Sequence, residues 1–265
     1  MEAMEPTEKN VDKNSITEKQ IRRRTFISFF SFLALNGAAY SGWKWLYKKA
    51  PEETAGVTAG AKKPLRRALN KTELAFRKIF SHNHLAKTYP KSSAAKNVRI
   101  NGKAGLNKAV VNTQDWKLKV VKKPGEILAI SLDEIKALPK TELIFDFKCV
   151  EGWDQIQHWA GLKLVDFMEH YQLSEQAKMQ YVGLITPDKA YYVGIDMPSA
   201  LHPQTLLCYE MNDEPLKPEH GAPLRLIIPV KYGIKSLKNI GTLSFSNSRP
   251  PDYWAEQGYD YYSGL

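Results

Sequence analysis

Three kinds of apolar spacing follow one another along this chain. From Phe26 to Tyr47 the residues are largely apolar, and Lys44 near the far end is the only charge. About 20 helical residues at 1.5 Å each match the roughly 30 Å hydrocarbon core of a bilayer, so the stretch reads as a transmembrane helix. Trp43, Trp45 and Tyr47 gather at its end, as interfacial aromatic residues do. From Pro64 to Phe80, the residues Leu65, Leu69, Ala75, Phe76, Ile79 and Phe80 recur at helical spacing, with Arg66, Arg67, Arg77 and Lys78 among them. That pattern predicts an amphipathic helix, packed on a core or laid on a lipid surface. Further on, short runs alternate: Trp116, Leu118 and Val120 with Lys117 and Lys119, then Leu143, Phe145 and Phe147. Strands are predicted there and at 179–185, 191–195, 224–229 and 240–245. Ser131-Leu132-Asp133-Glu134 is a capping box that opens a short helix ending before Pro139, and 162–171 also reads as helical. Strands and short helices mingle without regular βαβ alternation, so the fold class is α+β, with no internal repeat.

The same pattern divides the chain. Residues 1–25 form a polar tail, 26–47 the anchor, 48–63 a linker of Pro, Gly, Thr and Ala, and 64–265 a single domain. Arg23-Arg24-Thr25-Phe26-Ile27 looks like a twin-arginine export signal. No small-x-small site directly follows the apolar run, which favours an uncleaved anchor over a signal peptide. The expectation is a single-pass protein of a bacterial inner membrane whose C-terminal domain faces the periplasm.

Charge narrows the partners. The net charge is +10, and a basic excess suits nucleic acid, anionic lipid, a phosphorylated cofactor or an oxyanion. No zinc-ligand spacing and no basic run interleaved with aromatic residues is present, so nucleic acid is set aside. Two cysteines, Cys149 and Cys208, are too few for a disulfide scaffold.

Three segments carry candidate chemistry. Cys149 ends a predicted strand and is followed by Val150-Glu151-Gly152-Trp153, where glycine permits a sharp turn. Alone, this cysteine reads as a small buried hydrophobe, a nucleophile paired with a histidine such as His158, or a metal ligand. Ser81-His82-Asn83-His84 offers polar side chains from a helix end, where it reads equally well as a C-terminal cap. His220-Gly221-Ala222-Pro223-Leu224-Arg225, then Lys231-Tyr232-Gly233-Ile234-Lys235-Ser236-Leu237-Lys238, sets glycines among basic residues. Such a block suits phosphate oxygens, or is a solvated basic loop.

Together, the three segments resemble the sulfite-oxidase superfamily of molybdopterin-dependent oxidoreductases, and especially its branch of bacterial protein-methionine-sulfoxide reductase catalytic subunits. The resemblance rests on Cys149-Val150-Glu151-Gly152-Trp153 with Trp159-Ala160-Gly161, on the block from His220 to Ser236, and on Phe80 to His84. It implies a molybdenum–molybdopterin cofactor with Cys149 as metal ligand and catalytic residue, and contacts from Asn83, His84, Thr186, His220, Arg225, Gly233, Ile234 and Lys235. It implies two-electron oxygen-atom transfer, reduction of a small or protein-bound S-oxide such as methionine sulfoxide, and a quinone-linked membrane electron donor such as a haem b protein. Sulfite oxidation, or a metal-free interaction module on the same scaffold, are the competing readings. His82 and His220 depart from residues common in the family. A C-terminal dimerisation domain and a haem-attachment motif are not found, so a monomer is expected.

Overall fold

The computed structural model describes residues 17–47, 68, 71–72, 74–75, 84–102 and 115–265. The chain forms two compact units, residues 1–48 and 49–265.

The first unit is one helix, α1 (Glu18–Tyr47). It starts eight residues earlier than the apolar run, with Arg22 paired to Glu18 at 2.6 Å on its first turns. Phe26, Phe29, Phe30, Phe32 and Leu33 stand exposed on it. The membrane-crossing expectation is not confirmed: no helix among the described residues is long and apolar enough to cross a membrane. The helix has the length, but Ser28, Ser31, Asn36, Ser41, Gly37 and Gly42 dilute its apolar character. The predicted amphipathic helix at 64–80 lies mostly outside the described residues.

The second unit is built on two five-stranded sheets. The first joins β1 (Lys117–Lys123), β2 (Glu126–Ser131), β5 (Tyr181–Ile185), β6 (Tyr192–Asp196) and β10 (Thr242–Ser246) in the order β2-β1-β10-β5-β6. Its β1–β10 pair is parallel, so first and last strands of the fold lie side by side. The second sheet joins β3 (Thr141–Lys148), β4 (Asp154–Lys163), β7 (Leu206–Met211) and β8 (Glu214–Pro215), and β9 (Arg225–Ile227) pairs with β7. Leu118, Val182 and Leu243 of the first sheet share one apolar cluster with Leu162, Leu207 and Leu226 of the second. The other face of the second sheet holds Leu143, Phe145, Phe147 and Trp159 with Cys208 and Ile227.

The predicted short helix is present as Leu132–Lys136, with Ser131 and Glu134 closing the capping box reciprocally. Four strands escape prediction: β2, β4, β7 and the two-residue β8. In β4 the run from His158 to Leu162 is buried without a break, and so is Leu206 to Tyr209 in β7. A strand covered on both faces loses the period-2 signal. That also explains why 162–163, expected to be helical, belongs to β4, and the helix begins at Leu164.

Candidate active site

Strand β3 delivers Cys149. Leu143, Phe145 and Phe147 point to one face, and Cys149 continues that phase two residues on. The chain then turns: the Cys149 N–H donates to the Trp153 carbonyl at 2.9 Å, and the Gly152 N–H donates to the Cys149 carbonyl at 3.1 Å. Gly152 has φ +85°, a left-handed conformation that a side chain would strain. Trp153 stacks on Phe147 with ring centroids 6.0 Å apart and donates to Glu151 at 2.8 Å, while Arg99 covers its ring at 4.8 Å. The turn is therefore held by backbone, ring and ion contacts at once.

Cys149 is 6% exposed and lines a cleft of about 120 Å³. Burial pushes its thiol pKa up, and the Glu151 backbone N–H pulls only partly the other way. The free thiol therefore stays protonated near neutrality, and a thiolate here needs a cation directly beside it, as a metal provides.

The basic block splits into two pairs with different fates. Lys231 is buried against Asp196 at 2.9 Å, and Lys235 is buried against Asp252 at 2.5 Å. Lys235 also donates to the Gly194 carbonyl at 3.1 Å and lies 4.3 Å from the Tyr261 ring. Both ammonium groups are thus neutralised inside the protein. Arg225 and Lys238 have no carboxylate partner among the described residues. Arg225 is fully buried and donates to the His220 carbonyl at 2.8 Å and the Ser236 carbonyl at 3.2 Å, with Trp159 4.5 Å beneath. Among the described residues its Nε finds no hydrogen-bond partner, and neither does the buried Ser236 Oγ. Lys238 lines the cleft and donates to the Gly102 and Glu219 carbonyls at 3.0 and 3.1 Å. Burial, then the nearby Arg225 charge, push Lys238 down to about 7 and His220 down to about 4. Burial also lowers Arg225 to about 10. Buried cations that disfavour their own charge in this way are a site for an anion.

The remaining expected residues divide. Gly233 and Ile234 line the cleft with Cys149. A Cβ at Gly233 would come within 2.5 Å of the Phe147 ring, so glycine is what lets this turn close on the strand that carries Cys149. Lys235 is in the same 3-10 turn, but its side chain serves the Asp252 pair. Thr186 is buried at the β5–β6 turn, where its hydroxyl donates to Asp188 and accepts from the Tyr191 N–H. It does not line the cleft; it sets Tyr191, which does and whose hydroxyl donates to the Ile234 carbonyl at 2.8 Å. His220 contributes its carbonyl to Arg225 and its ring, edge-on, to Trp159. His84 is exposed, and its carbonyl meets the His202 ring at 3.1 Å. Asn83 lies outside the described residues. Sequence reasoning missed Tyr191, Ser236, Lys238, Trp254 and Tyr259 as cleft residues. Of these, Lys238 and Ser236 were visible in the basic block; the aromatic residues come from distant segments and carry no local signal.

A buried thiol, the Lys238 ammonium and an orphaned hydroxyl lining one cleft, with Arg225 bonded to the Ser236 carbonyl behind them, fit a metal held by sulfur whose organic carrier bears phosphate. The fold and site thus define a metallocofactor-binding oxidoreductase domain. Residues 105–254 match the family described as the oxidoreductase molybdopterin binding domain, and the chain belongs to that family. It is an oxidoreductase, and its cofactor is molybdenum–molybdopterin.

Relatives agree. The chain is 35% identical over 187 residues, 70% of each chain, to YedZ1 of Azospira oryzae, which is described as a protein-methionine-sulfoxide reductase subunit. It is 33% identical over 171 residues, 58% of each chain, to the protein-methionine-sulfoxide reductase catalytic subunit MsrP of Campylobacter jejuni. The MsrP of Xanthomonas axonopodis is 29% identical over 268 residues, 92% of this chain and 77% of that one. Among solved structures, the sulfane dehydrogenase SoxCD of Paracoccus pantotrophus matches 63% of this chain and 46% of that chain at 16% identity and a TM-score of 0.47.

Proposed function

We propose that the chain is a catalytic subunit that reduces S-oxides, methionine sulfoxide foremost. The wall of the Cys149 cleft carries the reading: Tyr191, Trp254 and Tyr259 line it, with Glu151 and Lys238 as its charged residues. Aromatic faces suit the uncharged arms of a sulfoxide. Sulfite would meet the Glu151 carboxylate and only one cation, already committed to the cofactor. The relatives named as methionine-sulfoxide reductases support the same choice.

In this reading Cys149 holds the molybdenum. Arg225, Lys238, Ser236 and the Gly233–Ile234 backbone hold the phosphate-bearing pterin, with Thr186, His220 and Lys235 bracing them and Asn83 and His84 closing the entry side. The cofactor supplies two-electron oxygen-atom transfer when bound. The protein orients substrate against it and excludes water. Overall, the S–O bond breaks, the oxygen leaves as water with two protons, and two electrons arrive from a quinone-linked membrane partner such as a haem b protein. We read α1 as the tether that keeps the enzyme beside that partner, with the twin-arginine-like segment directing the domain to the periplasm. Its exposed Phe26, Phe29, Phe30 and Phe32 are a surface that water does not favour.

Parallel assays test the substrate. Molybdenum-loaded enzyme is given methionine sulfoxide with a reduced viologen donor, and sulfite with an electron acceptor. Turnover of the sulfoxide is expected; turnover of sulfite alone would overturn the reading. Membrane fractions washed at alkaline pH should retain the full chain and release one lacking α1.

A further inference from the structure

A second cluster of ligating side chains lies away from the Cys149 cleft. His158 of β4 and Glu142 of β3 share one face of the second sheet as diagonal neighbours, because Ile144 pairs with His158 and Glu142 with Ala160. Asp213 reaches the same place from the β7–β8 turn. That turn is fixed: Asn212 and Asp213 both have positive φ (52° and 63°), the Asn212 N–H donates to the His158 carbonyl at 3.2 Å, and the Asn212 side chain donates to the Ala95 carbonyl at 3.0 Å. The three ligand atoms all lie within 4.8 Å of one another.

The histidine makes this more than a pair of surface acids. The side chain of His158 is 2% exposed, yet its Nε2 has no hydrogen-bond partner among the described residues. Glu142 is 3.2 Å away but out of hydrogen-bonding alignment. A buried ring nitrogen left without a partner is uncommon and needs a reason. His158 and Asp213 both line a cleft of about 370 Å³ that opens at this point, and Lys91, Lys96 and Lys217 line it too. Lys91 reaches Asp213 at 2.5 Å and Glu142 at 3.8 Å, and its side chain is 51% exposed, so it can leave for solvent.

We propose that Glu142, His158 and Asp213 form a site for a divalent cation of the zinc class. One imidazole nitrogen and two carboxylate oxygens suit such an ion. The ion takes the charge-balancing place that Lys91 holds, and it ties β3 and β4 to the β7–β8 turn. The site is independent of the molybdenum chemistry.

The test uses untagged, molybdenum-loaded enzyme, in which the cofactor occupies Cys149. Zn2+ is titrated by calorimetry, and Co2+ is followed by its absorption spectrum. One equivalent of Zn2+ is expected to bind. Co2+ should show nitrogen/oxygen ligand bands without thiolate charge transfer. Asp213→Asn, which removes a ligand's charge, should weaken binding by at least the roughly 10–100-fold that even outer-shell changes cause. Lys91→Met should tighten it, and His158→Gln should abolish it. If the buried His158→Gln variant fails to fold, the two exposed positions decide. No saturable binding, binding unchanged in Asp213→Asn, or a thiolate band with Co2+ would each overturn the proposal.

Discussion

Lys235→Met and Lys238→Met should fail in opposite ways, although the two lysines are three residues apart. Lys235 is buried with Asp252 at 2.5 Å, and its side chain is 1% exposed. Replacing it leaves the Asp252 carboxylate buried without its cation, which costs about 3–5 kcal/mol. For a domain of this size each kcal/mol moves Tm by about 2–4 °C, so the apo-protein should lose roughly 6–20 °C. Molybdenum content of the fraction that folds should stay near wild type, because the Lys235 side chain does not reach the cleft. Lys238 is different. Burial and Arg225 already push its pKa down to about 7, so its charge opposes folding until an anion arrives. Methionine relieves that penalty but leaves the Gly102 and Glu219 carbonyls short of a donor. Those effects offset one another, and the apo-protein Tm should move by less than about 6 °C. Cofactor content should instead fall steeply. The assay pairs thermal unfolding of apo-protein with metal and pterin analysis of protein made in a cofactor-competent host. If Lys235→Met lost the cofactor at unchanged Tm, or Lys238→Met unfolded and kept it, the division of the basic block would be wrong.

Cys149→Ser should lose molybdenum and activity by more than the roughly 10–100-fold that even outer-shell changes cause at metal sites, while Cys208→Ser keeps both; metal analysis beside turnover decides. Gly233→Ala places a Cβ 2.5 Å from the Phe147 ring and should destabilise by about 1–3 kcal/mol, read by denaturant unfolding; an unchanged midpoint would mean that Phe147 moves freely. His220 has a folded pKa of about 4 against an ordinary 6.5, so between those values the unfolded chain binds a proton that the folded one does not. Apo-protein stability should therefore rise with pH across that window, by up to roughly 3 kcal/mol, and fall as pH drops; His220→Asn should flatten this component, and equal pH profiles would refute it.

Much of this was legible before any coordinates. The alternation of Leu143, Phe145 and Phe147 fixes which way Cys149 faces, so a strand pattern placed the thiol that lines the cleft. The capping box at Ser131 carries its own geometry. What stayed hidden depends on partners distant in sequence. Nothing in Lys231-Tyr232-Gly233-Ile234-Lys235 says that Asp196 and Asp252 will claim its two ammonium groups, because a 3-10 turn has neither of the periodicities that assign a face. The hydroxyl of Thr186, a residue that the resemblance sets at the cofactor, closes the turn that presents Tyr191, and no local pattern announces that pairing. β4 and β7 went unseen because burial on both faces erases alternation.

The unneutralised pair, Arg225 and Lys238, also bears on the life of the chain in the cell. On the proposed reading, a newly made chain without cofactor buries the Arg225 charge and the partly protonated Lys238 with no carboxylate partner among the described residues, and its cofactor acts as a missing counter-ion for the fold itself. Binding stabilises only the folded form, by an amount that grows with cofactor supply. Unloaded chains therefore open more often than loaded ones, and proteolysis of open chains follows that population. The same two residues proposed to receive the cofactor would thus mark the chains that never received it for removal.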